Sequence, residues 1–333
     1  MSNPLVSVVI CHHTGKLILD AVRSVLESKF VTPEIIVVTS DKDLIVNGVE
    51  RLIVSTKPPA TKRNIGIKFA KSKYVAFFDD DVEVTKYTIH HMLQTLMTEG
   101  VGMVFGKSLN MEFRNRFDEA GGFLTHTGFI WARAESGIDD IGQFNKTESI
   151  FAGKSATCMV RRDVFWKSGG FDESFGILGE ESDLAWRIWL KGYTVMYEPK
   201  SVTYHAFNTR FKPTKVFYNE RRVYYNGCRN YLHMLLKNAP VHLLLLALPC
   251  QITAWLLAAF GQLLHGRIAA CGLILEALWS VVKDLRWFLE QRREIRSSIV
   301  GQEWSILRKV MRDPPFSYYI KRLRSYVSKG LHG

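Results

Sequence analysis

Three consecutive carboxylates, Asp79-Asp80-Asp81, follow directly on the apolar pair Phe77-Phe78. Such a run repels itself, so it is either a solvated acidic turn or a cluster kept for what it binds. At a strand end in an open α/β sheet, the edge where ligands bind, Asp79 and Asp81 could hold a hard divalent ion such as Mg2+ or Mn2+ through oxygen. That ion would neutralise the oxygens of a bound diphosphate. A second acidic run, Glu180-Glu181-Ser182-Asp183, leads into Leu184, Trp186 and Ile188 and fits the first turn of a helix, where the macrodipole favours acids. Asp183 and Arg187 are spaced i, i+4, which fits an ion pair on one helix face as well as a contact to substrate. Arg63, preceded by Lys62, could approach a phosphate or lie solvated on a helix surface. His205 is a lone histidine after Val202-Thr203-Tyr204, more often a structural residue than a ligand.

The elements that must position these groups read as successive βα units. Short β-branched runs at Leu5 to Ile10, Glu34 to Val38, Leu52 to Ser55, Tyr74 to Phe78 and Val101 to Phe105 predict strands of a largely parallel sheet. Ile18, Ala21, Val22, Val25 and Leu26 fall on an i, i+3, i+4, i+7, i+8 stripe and predict a covering helix, with another over residues 60 to 70. Residues 106 to 150, with Gly121-Gly122 and mixed charge, read as an irregular region able to close over a ligand. No Gly-rich phosphate loop follows the first strand, which weighs against a nucleotidyltransferase.

The charge of this 333-residue chain is divided unevenly. Residues 1–199 carry 23 Lys and Arg against 25 Asp and Glu, a balance of −2, whereas residues 200–333 carry 21 against 7, a balance of +14. The apolar share of 47% and charged share of 23% exclude a disordered or collagen-like chain. Five scattered cysteines without a CxxC pair indicate neither a disulfide framework nor a zinc site. The N-terminus lacks a signal-peptide pattern, so the first domain is expected in the cytoplasm. From Asn238 to Gly266 there is no Asp, Glu, Lys or Arg, and a second apolar stretch runs from Ile268 to Val282. Basic clusters flank both, with Arg221, Arg222, Arg229 and Lys237 before and Lys283, Arg286, Arg292, Arg293 and Arg296 after. The pattern fits a re-entrant hairpin or in-plane helices on an anionic membrane surface, with both flanks cytoplasmic, or a core helix pair of a soluble domain. Nucleic-acid binding predicts basic residues interleaved with stacking aromatics, and these instead flank apolar runs, so no nucleic-acid partner is expected.

The order of motifs resembles family 2 inverting glycosyltransferases of the GT-A type over about residues 5 to 237. The matching stretches are Val6-Ser7-Val8-Val9-Ile10 with Ala21 to Ser28; Ala60-Thr61-Lys62-Arg63-Asn64-Ile65-Gly66 followed by Phe77 to Asp81; Gly169-Gly170-Phe171-Asp172-Glu173 followed by Glu180 to Arg187; and Arg221 to Asn238. The last resembles the tail of the rhamnosyltransferase-like subgroup that extends lipid-linked glycans. The resemblance implies an α/β, Rossmann-like nucleotide-sugar-binding domain over 1–237, then a membrane-associated helical region over 238–333. It implies transfer from a nucleotide-sugar donor to a membrane-held, polyprenyl-linked glycan at the cytoplasmic face, with a divalent metal ion, in polysaccharide or cell-envelope biosynthesis. By position, Glu181 is the implied catalytic base with Glu180 as competitor, since the family usually has Asp there. Asp79, Asp81 and His205 are the implied metal ligands; Asp41, Arg63, Asp79 and Asp80 bind donor, and Asp183 and Arg187 bind acceptor. The sequence departs from the pattern after its first strand, at Cys11-His12-His13-Thr14-Gly15, and after its second, where Thr39-Ser40-Asp41 replaces an Asp pair. The Glu181 departure also leaves open a catalytically silent nucleotide-binding adaptor on the same fold. Donor identity, acceptor and oligomeric state are not legible in these residues.

Overall fold

The computed structural model describes residues 3–206, 220–301 and 303–328. Two compact units emerge, one of Met1–Gly122, Ala132–Gly176 and Glu180–Lys212, the other of Phe123–Trp131, Ile177–Gly179 and Pro213–Gly333. The compositional shift at residue 237 therefore falls inside the second unit. The helix just before that shift packs with the apolar helices after it, and two short segments from earlier in the chain join them.

The first unit begins with β1 (Leu5–His12), α1 (Leu17–Leu26), β2 (Thr32–Thr39), β3 (Arg51–Val54), α2 (Pro59–Lys68) and β4 (Tyr74–Asp79). β1 pairs in parallel with both β2 and β4, and β2 with β3. Their apolar runs are buried from both sides, and α1 covers one face with Ile18, Ala21, Val22 and Val25, as its periodicity predicts. α2 is different, because it turns Lys62, Arg63 and Asn64 inward and carries no apolar stripe to announce its inner face. It can lie on the sheet because Gly66 has no side chain: a Cβ there would meet Val9 Cγ1 at 2.3 Å.

Beyond β4 follow β5 (Val82–Val84), α3 (Thr88–Leu96), β6 (Val101–Asn110), β7 (Phe117–Glu119), β8 (Gly122–Leu124), β9 (Ile130–Ala132), β10 (Glu148–Ser149), β11 (Thr157–Arg161), α4 (Arg162–Lys167), α5 (Glu180–Leu190) and β12 (Thr194–His205). Among the described residues the main sheet runs β10-β12-β6-β11-β4-β1-β2-β3, with β5 on β12 and β7 on β6. β11 lies antiparallel between β4 and β6, so only the half from β4 to β3 is wholly parallel. The stretch 106–150 contains the end of β6 and four short strands, whose two or three residues each are too brief to show a period of two in sequence.

Apart from most of the β8–β9 pair, the described part of the second unit is mainly helical: a π-helical turn at Arg221–Asn226, then α6 (Gly227–Asn238), α7 (Val241–Leu264), α8 (Ile268–Lys283), α9 (Leu285–Ser297), α10 (Glu303–Leu307) and α11 (Phe316–Ser328). Tyr224, Leu232, Trp255, Ile274 and Phe288 belong to its core. The Arg292 guanidinium on α9 donates to the carbonyls of Leu236, at 3.1 Å, and Ala239, at 2.6 Å, closing the carboxyl end of α6. α7 buries Leu243, Ala247, Gln251, Trp255, Ala258 and Gln262, while Leu245, Leu246, Leu257, Phe260 and Leu264 on its opposite side stay exposed. It is the described helix long and apolar enough to cross a membrane, with mean hydropathy 2.0 over its best window and a third of that window buried.

Candidate active site

The parallel strands deliver their carboxyl ends to one edge. Register places Cys11 of β1 opposite Asp79 of β4, and His12 opposite Thr39 of β2. The loops at that edge are held from within. Lys62 is buried and donates to the His12 carbonyl and the Ser40 hydroxyl, both at 2.6 Å, and burial holds its ammonium below the usual lysine range. Asp80 is buried and accepts the His13 backbone N–H at 3.1 Å, so the carboxylate assigned to the donor shapes the loop after β1. Asp41 accepts the Asp43 N–H at 2.9 Å in a local turn just beyond β2.

Asp79, Asp81 and His205 come together although 124 positions separate the last two in sequence. β12 returns along β6 and β5, pairing His205 with Val82, and the Ala206 N–H donates to the Asp81 carbonyl at 3.0 Å. One ligand atom from each of the three residues lies within 4.8 Å of the others. Two carboxylates and an imidazole make an oxygen-rich donor set that suits Mg2+ or Mn2+. His205 Nε2 is 3.3 Å from Asp81 Oδ1, and its Nδ1 is 2.9 Å from Asp118 Oδ2. Burial works against a charged ring, but Asp81 and Asp118 together outweigh it and hold His205 up at about 10. The site thus attracts positive charge, which a bound divalent cation would supply in place of the ring proton.

Arg63 joins this cluster to the acidic helix. Its side chain is 3% exposed and donates from Nη2 to Asp79 at 2.7 Å and from Nη1 to Glu180 at 2.8 Å. Burial disfavours its charge, yet Asp79 and Glu180 raise it above the ordinary arginine range. The solvated-surface alternative for Arg63 is therefore corrected: the guanidinium is an internal tie between α2, β4 and α5. Asn64 beside it donates to the Phe171 carbonyl at 2.8 Å and to Glu173 at 3.0 Å, and accepts the Phe171 N–H at 3.0 Å. The Gly169-Gly170 turn, with φ of +83° and +68°, allows this close approach.

The two glutamates at the start of α5 are inequivalent. Glu180 is 3% exposed and committed to Arg63, whereas Glu181 remains partly open. Burial of its carboxyl, then the adjacent Glu180 charge, push Glu181 well above the usual carboxylate range, the direction that makes a carboxylate a stronger base. Asp183 is fully buried, accepting from Arg187 Nε at 3.0 Å and Nη2 at 2.6 Å, and Arg187 also donates to the Ser168 carbonyl. As placed, this pair is the i, i+4 ion pair its spacing allows, and it pins α5 to the Gly-Gly turn. Sequence reading passed over Asp118, which faces His205 from a stretch without a motif, and Lys154, which pairs with Asp118; Asn64 was legible only as part of Arg-Asn-x-Gly.

A family model described as glycosyltransferase like family 2 matches residues 8–247. The pre-mycofactocin glycosyltransferase of Mycobacterium tuberculosis is 26% identical over 221 residues, 65% of this chain and 43% of that protein. The O-antigen biosynthesis protein RfbC of Myxococcus xanthus is 29% identical over 139 residues, 40% of this chain and 11% of that one. The chain thus spans less than half the length of these curated relatives. Among solved structures, GalNAc-T7 with UDP, GalNAc and Mn2+ superposes with a TM-score of 0.55 at 16% identity, covering 70% of this chain and 48% of its own. The mannosyltransferase PcManGT from Pyrobaculum calidifontis, in complex with GDP-Man and Mn2+, gives 0.51 at 15% identity over 89% and 86%. These likenesses show the GT-A fold, and with a family match over residues 8–247, most of the chain and including the sheet edge just described, the protein belongs to the glycosyltransferase like family 2.

Proposed function

We propose that the protein transfers a sugar, with inversion, from a nucleoside-diphosphate sugar to a hydroxyl of a membrane-held, polyprenyl-linked glycan. The observation that carries this reading is the continuous tie from Asp79 through Arg63 to Glu180, which sets a metal-ligating cluster and a half-open glutamate at one sheet edge. A divalent ion held by Asp79, Asp81 and His205 would offset the charge of the diphosphate leaving group. Glu181 takes the proton of the acceptor hydroxyl as that oxygen bonds to the anomeric carbon and the bond from that carbon to the diphosphate breaks. Glu180 and Arg63 hold α5 and Asp79 in place for it. The Mn2+ and nucleotide carried by the two structural neighbours support the donor class, and the O-antigen relative supports a glycan acceptor.

Membrane attachment falls to the second unit. Besides the exposed leucines of α7, α8 exposes Ile268, Leu275, Trp279 and Val282, while residues 200–333 carry the basic excess. An apolar stripe beside basic residues fits the cytoplasmic surface of an anionic membrane. The test is release of nucleoside diphosphate by the full chain from a panel of sugar nucleotides with Mn2+, with and without a polyprenyl-linked oligosaccharide. Release that needs Mn2+, stops with EDTA and rises with acceptor is expected. Binding of nucleotide without any turnover would instead make the protein a silent adaptor.

A further inference from the structure

We infer that Asp118 is a positioning residue that keeps the ring proton of His205 on Nδ1, so that Nε2 presents its lone pair to the cation shared with Asp79 and Asp81. The inference rests on the metal-dependent reading proposed above. Its basis is the topology around β6, which carries β7 on one side and β12 on the other. Asp118 from β7 and His205 from the end of β12 are thereby brought face to face, with Nδ1 2.9 Å from Asp118 Oδ2. A neutral imidazole has one proton, and both ring nitrogens face a carboxylate; with a cation drawing on Asp81 and Nε2, the acceptor left for that proton is the closer one, at Nδ1.

Asp118 is such an acceptor. Its carboxylate is 4% exposed, takes the Ser108 hydroxyl at 3.1 Å and the Lys154 ammonium at 2.7 Å, and is fixed by both. The opposite ring nitrogen, Nε2, lies 3.3 Å from Asp81 Oδ1. Without Asp118 the other tautomer becomes favourable, because Nε2–H could donate to Asp81, and the nitrogen needed by the cation would be blocked. A carboxylate behind a ligating histidine also orients the ring and raises its basicity, and loss of such a partner costs roughly 10- to 100-fold in metal affinity.

The experiment titrates Mn2+ alone into the full chain, read by the electron paramagnetic resonance of free Mn2+, for the wild type, Asp81→Asn and Asp118→Leu. Asp118→Leu removes the acceptor at similar volume, and the half-exposed Lys154 can turn to water. Its Mn2+ affinity should fall about 10- to 100-fold. Loss of binding in Asp81→Asn with unchanged binding in folded Asp118→Leu overturns the inference and leaves the metal site standing. Unchanged binding in both overturns the site, and the inference with it. A second measurement needs no core variant. In the wild-type chain labelled with 15N-histidine and loaded with diamagnetic Mg2+, the His205 signal, identified by its loss in His205→Gln, should show the proton on Nδ1. A proton on Nε2 overturns the inference. Because ligation of Nε2 by itself leaves the proton on Nδ1, the role of Asp118 is read from Asp118→Asn, whose amide oxygen can still accept that N–H and should recover part of the Mn2+ affinity lost in Asp118→Leu, whereas no recovery counts against it.

Discussion

Glu180 and Glu181 are neighbours in sequence and differ in almost every physical respect, because one is spent on Arg63 and the other is not. Glu181→Gln should bind donor normally and lose transfer by about 100-fold or more, as for removal of a general base. Because its carboxyl is held well above the ordinary range and must be deprotonated to act, kcat/KM should fall as pH drops through that raised value. A profile with no such fall on the acid side would remove Glu181 from the role. Glu180→Gln weakens a buried ion pair, so its main effect should be a lower melting temperature. Glu119 gives a separate pH test. Burial lifts its carboxyl from 4.5 to about 7 against the pull of Lys154. The folded state then binds the proton more tightly than the unfolded chain, so this group's contribution to stability declines as pH rises from about 4.5 to 7. Glu119→Gln, which keeps an acceptor for the Gly121 N–H, should be more stable than wild type at pH 8, by on the order of 2–3 kcal/mol, and nearly equal at pH 4.5. Denaturant melts at the two pH values check the sign.

At the scale of elements, the site depends on α2 lying close enough to β1 for Arg63 and Asn64 to face inward. Gly66→Ala sets a methyl 2.3 Å from Val9 Cγ1, and such overpacking typically costs 1–3 kcal/mol. Its more specific consequence is displacement of Arg63 from Asp79, seen as weaker Mn2+-dependent nucleotide binding at a temperature where the protein is still folded. Val9→Ala in the same chain should recover part of both losses, since the two positions are in contact and non-additive. Equal losses in the single and double variants would show that the helix does not bear on Val9.

For the whole molecule, the apolar side of α7 should decide where the protein resides. Leu246 and Leu257 lie on its exposed side, so Leu246→Glu and Leu257→Glu should change the melting temperature little while reducing flotation with anionic vesicles several-fold. Salt should weaken attachment only in part, because screening removes the basic attraction and leaves apolar insertion. Full-length protein that stays in the supernatant of such vesicles, or that binds DNA in preference to them, would sink the membrane reading.

The sequence by itself determined the parallel strands from β1 to β4, the amphipathic α1 and the three carboxylates at a strand end, since each is written in local periodicity or adjacency. It also showed the basic, apolar C-terminal third, which composition alone reveals. It left Arg63, Asp183 and Arg187 between surface and interior, because a polar side chain carries no local sign of whether a partner from a distant element will bury it. Tertiary structure decided those cases: Arg63 finds Asp79 and Glu180, and Arg187 finds Asp183 and the Gly-Gly turn. It likewise decided which glutamate is open, and it supplied Asp118, whose three-residue strand leaves no pattern. Those facts depend on pairings of β6 with β7 and β12 and on helix packing across more than a hundred residues, whose free energy comes from buried contacts that no short window of sequence contains.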